Sequence, residues 1–364
     1  MRKHYIDNLR WITILLLIPY HTAMAWNVWN EPNYIYIDSN KTISSIIVFL
    51  SPYFMPLLFL LAGISTKFAL QKRTVKQYIS ERIKKLFIPF IFGTLLLMPI
   101  MTYIADKFNF GYDGNLFQHY PVFFTKFTDL TGADGGFSIG QFWFLLYLFV
   151  ISILSLGIIA LLKKIIPDYK KEVPRWLIII LGLPLPLFSE LLSIGGKSLI
   201  EYTYVFLIGY YIFSNNNVIS KIEKRKWIFL IVGLTATILN VYLFIWADTK
   251  YPLLNTITKY VSEWCMLITL LGMGKRYLNA GSKIAVYMSQ RSFAFYILHF
   301  IWVVLFQYLM FDTLQNNIVL LYIVPVFLSY IATLLCSEIC IRIPVLCSLM
   351  GLKCIKTKKL GIEL

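Results

Sequence analysis

ISSIIVFLSPYFMPLLFLLAGIST, residues 43–66, runs for 24 residues without a charged side chain, and the stretch after it is its opposite. Residues 67–85 carry seven lysines and arginines against one glutamate, Glu81. At about 1.5 Å of rise per residue, such an apolar run reaches about 36 Å, enough to cross a hydrocarbon core of about 30 Å. The pair reads as a membrane helix that ends on the side where cations are retained. Composition extends the reading to the whole chain: hydrophobic residues are 58% and charged residues 14% of 364. Soluble domains sit nearer half and a quarter.

Working outward, further spans are expected near 9–29, 86–104, 141–162, 176–193, 199–213, 227–247, 253–274, 292–311 and 318–341. With the N-terminus in the cytoplasm, the inner segments then hold 28 Lys and Arg, the outer segments five, and the eighth span Lys259. This is the positive-inside pattern, and a missed span would invert it downstream. The net charge of +16 therefore reports topology and contact with membrane lipid, and nucleic acid is not an expected partner. The expectation is an all-α polytopic bundle of about ten transmembrane helices, with both termini cytoplasmic. It forms a single domain over 1–364, with a short basic tail at 342–364 and no appended soluble domain. Met1-Arg2-Lys3, an apolar run and Ala23-Met24-Ala25 imitate a secretory signal, but the nine spans that follow favour a retained first helix.

The five cysteines, Cys265, Cys336, Cys340, Cys347 and Cys354, avoid the outer loops, so reduced thiols are expected rather than structural disulfides. No metal site is expected. The longest outer loop, about 105–140, holds Asp106, Asp113, Asp129, Asp134 and His119, the last read as a solvated loop residue. A loop that long commonly has a function of its own.

Ionisable groups inside spans are costly, and each is a candidate functional residue. Arg10 and His21 stand eleven positions apart, about 16.5 Å of rise and about 20° of rotation, so a straight helix presents both on one face. Asp7 lies one turn earlier near the same face. Pro19 removes a helix hydrogen bond just before His21 and can bend the helix there. An interfacial arginine below a buried histidine suits an anion held near the cytosol and a base reaching deeper; a histidine that only bridges two helices remains the structural alternative. Glu190, Glu201 and Glu263 are candidates to orient His21 or to bind a substrate hydroxyl. His299 reads chiefly as a packing partner, and Glu338 as the partner of a cytoplasmic cation.

Five short motifs now line up in order. Tyr5-Ile6-Asp7-Asn8-Leu9-Arg10-Trp11, followed by an apolar run to His21, resembles the opening of the acyltransferase 3 family of membrane O-acyltransferases. Phe59-Leu60-Leu61-Ala62-Gly63 resembles its Phe-x-x-Ser-Gly motif, with Ala62 in place of serine. Arg82-Ile83-Lys84-Lys85 resembles its Arg-x-x-Arg motif, with Lys85 as the second cation. Phe142-Trp143-Phe144-Leu145 is similar to its Trp-Phe-Leu element, and Ser292–His299 to a late stretch ending in Tyr-x-x-His. Helices 1 and 2 resemble most the branch around glucan biosynthesis protein C, a succinyl transferase.

The resemblance implies that an acyl group, acetyl or succinyl, moves from cytosolic acyl-CoA, the acyl donor, to a hydroxyl of an extracytoplasmic carbohydrate or glycolipid at a multi-pass cell-membrane protein. His21 would then be the base. Arg10, Arg82 and Lys85 would hold the polyanionic donor, while Trp143, Glu190, Glu201, Glu263 and His299 would be candidates for contact with the acceptor. Lys85 cannot offer the bidentate fork of an arginine. The competing expectation is a proton-coupled secondary transporter or flippase, which commonly shows internal repeats. No repeat is evident in this sequence.

Overall fold

The computed structural model describes residues 3–31, 33–127, 135–165 and 173–354. Asp129, Asp134 and the cations Arg2, Lys170, Lys171, Lys356, Lys358 and Lys359 lie outside the described residues. Among the described residues the regular structure is helical apart from one two-stranded hairpin and an isolated bridge between Asn33 and Ile35.

The first span is broken into α1 (His4–Leu15) and α2 (Leu17–Ala23). Pro19 has no N–H for the Leu15 carbonyl, and inside a bilayer that carbonyl must find a protein donor. It receives the Tyr330 hydroxyl at 2.7 Å, and the Tyr322 hydroxyl donates to the Pro19 carbonyl at 3.1 Å. After α2 come α3 (Lys41–Leu70), α4 (Val75–Arg82), α5 (Ile88–Phe92) and α6 (Met98–Phe110). The last three form one continuous rod through wide-turn segments at Ile83–Phe87 and Gly93–Leu97, beside Pro89 and Pro99. The same remedy recurs, since the Leu95 carbonyl, which Pro99 leaves without a donor, accepts the Tyr120 hydroxyl at 2.9 Å.

A short helix, α7 (Leu116–Thr125), begins with a capping box in which the Asn115 and Gln118 side chains each bond the other's backbone N–H. Next is α8 (Trp143–Ile165). The expected span at 176–193 is not one helix but two, α9 (Arg175–Ile180) and α10 (Leu185–Glu190), parted by Gly182 and Pro184. The carbonyls exposed by this break are satisfied by the Trp264 indole on Ile178, at 2.9 Å, and by the Tyr204 hydroxyl on Leu181, at 2.8 Å. Strands β1 (Ser193–Ile194) and β2 (Lys197–Ser198) pair around Gly195 and Gly196, both at positive φ as this tight turn requires. Ser198 then caps α11 (Leu199–Ile208). The chain ends in α12 (Asn216–Val241), α13 (Pro252–Tyr277), α14 (Lys283–Leu314), α15 (Ile318–Cys340) and α16 (Pro344–Leu349).

Among the described residues, six helices are long and apolar enough to cross a membrane: Lys41–Leu70, Val75–Phe110, Gly140–Lys163, Asn216–Trp246, Lys283–Leu314 and Ile318–Cys340. The first and fifth expected spans are interrupted. Lys259 and Glu263 make α13 more polar, and Leu199–Phe213 is shorter. Cys347 and Cys354 are joined as a disulfide, which corrects the expectation of reduced thiols for that pair.

The bundle is organised around α3, 72% of whose apolar window is buried, against 22% for α15. One face of α3, with Phe54, Leu58 and Phe59, joins the core that includes Phe142, Leu145, Phe295 and Phe300, and another, with Leu57, Leu60 and Ile64, joins the core that includes Leu9, Ile208 and Leu267. Where α3 crosses α11, Gly63 and Gly209 admit backbone to backbone. A Cβ at Gly63 would stand 1.9 Å from the Phe206 carbonyl oxygen, and one at Gly209 2.3 Å from that of Leu60. Small residues at such crossings let membrane helices approach closely. Gly63→Val is therefore expected to lower the Tm of detergent-solubilised protein, by a loss of about 1–3 kcal/mol or more. Gly157→Ala, where a Cβ meets nothing within 4 Å, should not. Equal melting of the two variants would refute the crossing as a packing constraint.

Candidate active site

The two marked residues of helix 1 meet different neighbours. On α1, the Arg10 guanidinium bonds Asp7, at 3.3 Å, and the Ser65 hydroxyl of α3, at 3.0 Å. It also faces Arg82, whose own guanidinium lies 4.6 Å from the centre of the Tyr78 ring. The Tyr78 hydroxyl is in turn tied to Thr66 at 2.9 Å, so α3 and α4 hold the arginine pair between them. The Arg82 Nε is buried without a hydrogen-bond partner. Lys85 differs, being exposed with Glu81 3.9 Å away.

On α2, His21 leans against α14. Its ring stacks on Phe300 with centroids 4.0 Å apart, and the His299 ring lies 5.4 Å away. His299 is fully buried, with Nδ1 2.7 Å from the Tyr296 carbonyl. The Tyr296 hydroxyl donates to the Gln141 carbonyl, just ahead of α8, and the Gln141 amide donates to the Ile297 carbonyl at 3.4 Å. Asn33 is a polar neighbour of the His21 imidazole. Four buried polar atoms of this group have no hydrogen-bond partner: His21 Nδ1, His299 Nε2, Asn33 Oδ1 and Gln141 Oε1. Such atoms are expensive inside a protein, and here they gather around one stretch of α14, Tyr296–Phe300.

Aromatic rings wall this region. Phe59 stacks on Tyr202 at 4.5 Å, Trp143 meets Tyr202 at 5.8 Å and Tyr147 at 5.3 Å, and Tyr20 packs on Phe54. The Lys197 ammonium stands 5.3 Å from the Trp143 ring centre and interacts electrostatically with Glu31 and His21. Flat apolar faces beside unpaired acceptors suit a polyhydroxylated ligand, whose C–H faces cover rings while its hydroxyls donate.

Among the described residues no carboxylate is hydrogen-bonded or ion-paired to His21. Glu190 ends α10, exposed. Glu201 and Glu263 are buried and interact with each other and with Lys259, and Glu263 Oε1 is unpartnered. Tyr202 is the element they share with the histidine region. Glu338, expected to meet a cytoplasmic cation, binds Arg291, Arg342 and the Tyr287 hydroxyl. No three His, Cys, Asp or Glu side chains among the described residues gather as a metal site. Asn33 and Gln141 were not singled out by the sequence. Gln141 stands immediately before the Phe142-Trp143-Phe144-Leu145 element, the one signal that could have drawn attention to it.

The expectation of a solvated His119 is corrected. It is fully buried between Tyr103 and Tyr112, and its Nε2 lies 3.3 Å from Asp106 Oδ2. Burial pushes its imidazole below the usual range, against the opposing pull of Asp106. A lowered histidine is stabilising when neutral, so its contribution is complete above about pH 6.5 and is lost as pH falls toward the folded value. Hydrogen exchange across Leu116–Thr125, corrected for intrinsic rate, should thus quicken from pH 7.5 to pH 5. One proton limits the gain to about tenfold per pH unit. Protection that stays flat with pH would remove His119 from the docking of α7.

Against known proteins, the family profile described as an acyltransferase domain matches residues 3–342. No curated protein and no solved structure matches the chain.

Proposed function

A match over nearly the whole chain places this protein in the acyltransferase 3 family of membrane acyltransferases, and from that membership we propose an acyl-CoA-dependent O-acyltransferase of the cell membrane, with His21 as its base. The observation that carries the proposal is the imidazole itself: a partly exposed histidine with one buried, unpartnered nitrogen, set among unsatisfied acceptors and aromatic faces. The family match favours acyl transfer over solute transport.

The proposed topology has ten crossings, with the broken first and fifth spans, the short sixth and the polar eighth added to the six long apolar helices. Cysteines placed at Asp113 and Gln315 should then react with an impermeant thiol reagent in intact cells, and one at Lys76 should not. Labelling at position 76 would reverse the orientation.

In this reading the donor approaches from the cytosol, where Arg10, Arg82 and Lys85 meet its phosphates and the thioester reaches up helix 1. The acceptor, an extracytoplasmic carbohydrate or glycolipid, enters from the other side past Trp143 and Lys197. As its hydroxyl oxygen bonds the thioester carbon, His21 takes the hydroxyl proton. The C–S bond then breaks, and the proton passes to the departing thiolate. Acetyl and succinyl are the proposed acyl groups, the latter by likeness of helices 1 and 2 to the glucan biosynthesis protein C branch.

The direct test is to incubate purified protein with labelled acetyl- and succinyl-CoA, scoring thioester loss and label in envelope carbohydrate. His21→Ala should remain inserted and monodisperse while transfer falls by roughly 10²–10⁴-fold, the usual worth of such a base. Arg10→Ala and Arg82→Ala should instead raise the donor KM about tenfold to a hundredfold, from a charged contact worth about 1.5–3 kcal/mol, with less effect on kcat. The phosphates do not change during acyl transfer, so their contacts hold ground state and transition state alike. Unchanged donor KM in both arginine variants would overturn the donor assignment.

A further inference from the structure

The two histidines differ in what the structure fixes about their protons. A backbone carbonyl only accepts, so the contact of His299 Nδ1 with the Tyr296 carbonyl, at 2.7 Å, puts the hydrogen on Nδ1. Neutral His299 then presents a lone pair at Nε2, which is buried and unpartnered. On the neighbouring ring, His21 Nδ1 is likewise buried and unpartnered.

The separation of the rings matches a single missing bond. A ring nitrogen lies about 1.1 Å from its centroid, so an in-line N–H···N bond of about 2.9 Å sets two imidazole centroids about 5.1 Å apart. The observed separation is 5.4 Å, with the planes tilted by 40°.

We propose that His299 is the positioning residue for His21: its Nε2 accepts the His21 Nδ1–H, which leaves the His21 Nε2 lone pair as the base. The chain runs from the Tyr296 carbonyl through His299 to His21, and each link fixes the tautomer of the next. It performs what a carboxylate does elsewhere, in a region where none reaches His21. When His21 takes the hydroxyl proton on Nε2, its Nδ1–H bond to His299 strengthens and steadies the imidazolium until that proton leaves with the thiolate. Asn33 is the competing partner, since its side chain also stands within hydrogen-bonding reach of the imidazole, although His21 Nδ1 and Asn33 Oδ1 complete no bond. The inference rests on the reading of His21 as base, but its first measurement does not depend on turnover.

That measurement is nitrogen NMR of ¹⁵N-histidine-labelled protein in nanodiscs, assigned by His21→Gln and His299→Gln. Both histidines should carry hydrogen on Nδ1 in the wild type, and His21 should lose that preference in His299→Phe, which keeps a ring but no acceptor. In transfer assays His299→Phe should lower kcat on the order of tenfold to a hundredfold, the usual weight of residues that orient a reacting imidazole, with donor KM unchanged. His299→Gln, whose amide oxygen can accept, should recover most of the loss. The proposal is overturned if His21 keeps its tautomer in His299→Phe, if Asn33→Ala alone shifts it, or if His299→Phe turns over at the wild-type rate. Should the wild type transfer no acyl group at all, the acyltransferase reading fails, while the tautomer measurement still judges the pair.

Discussion

A backbone carbonyl stripped of its helical partner inside a bilayer costs several kcal/mol unless the protein supplies a donor. Among the described residues an aromatic hydroxyl or indole meets this requirement at each of four carbonyls. Tyr330 serves Leu15, Tyr120 serves Leu95, Trp264 serves Ile178 and Tyr204 serves Leu181. The first of these governs the site. Without Tyr330 the Pro19 break would leave Leu15 unsatisfied, and with it the break becomes a joint pinned to α15. Beyond that joint α2 packs on α14 and α15, which brings His21 to Phe300 and His299, while α1 brings Arg10 to Ser65.

Against this thorough satisfaction of the backbone, the unpaired side-chain atoms stand out by type and place. Ser152, Ser329, Thr333 and other helical hydroxyls are also without partners, but a hydroxyl can rotate toward the carbonyl one turn back at little cost. An imidazole or amide held by packing has no such recourse. His21, His299, Asn33 and Gln141 come from four separate parts of the sequence, so their meeting is a product of the fold rather than of one amphipathic face. The buried Glu201, Glu263 and Lys259 form a second polar group, joined to the first through Tyr202.

What could be read in the sequence was what depends on neighbours along the chain. Residues 43–66 announce a span because hydropathy is local, and the capping box at Asn115 and Gln118 and the break at Pro19 are equally local signals. Spacing along one helix is likewise enough to mark Arg10 and His21. The fifth span was drawn whole because its composition is apolar throughout, while Gly182 and Pro184 act only together with the indole that replaces the lost bonds. His119 is a similar case. Its burial comes from Tyr103, Tyr112 and Asp106, and an outer loop rich in glycine gives no hint of that enclosure. His299 was weighed as packing because nothing within its own helix shows that the ring of His21, 278 positions earlier, lies 5.4 Å away.

The two departures from the family pattern gain a physical setting. Ala62 is buried beside Gly63, at the crossing where α3 meets α11 backbone to backbone, and the neighbouring Phe59 is occupied in stacking on Tyr202. The packing part of that motif therefore survives without a serine hydroxyl. In the cationic motif the position that remains arginine is the one held in place, over Tyr78, whose hydroxyl is tied to Thr66, while lysine stands at the exposed position beside Glu81. An exposed ammonium on a flexible stem contributes a field more than a geometry, whereas a clamped guanidinium contributes both. Specific recognition of an anion on this side would then fall to Arg10 and Arg82. Both are anchored to α3, Arg10 through Ser65 and Arg82 through Tyr78 and Thr66, and one face of α3 packs in the core that includes Phe300, so α3 as well as the first helix links the cationic residues to the histidines.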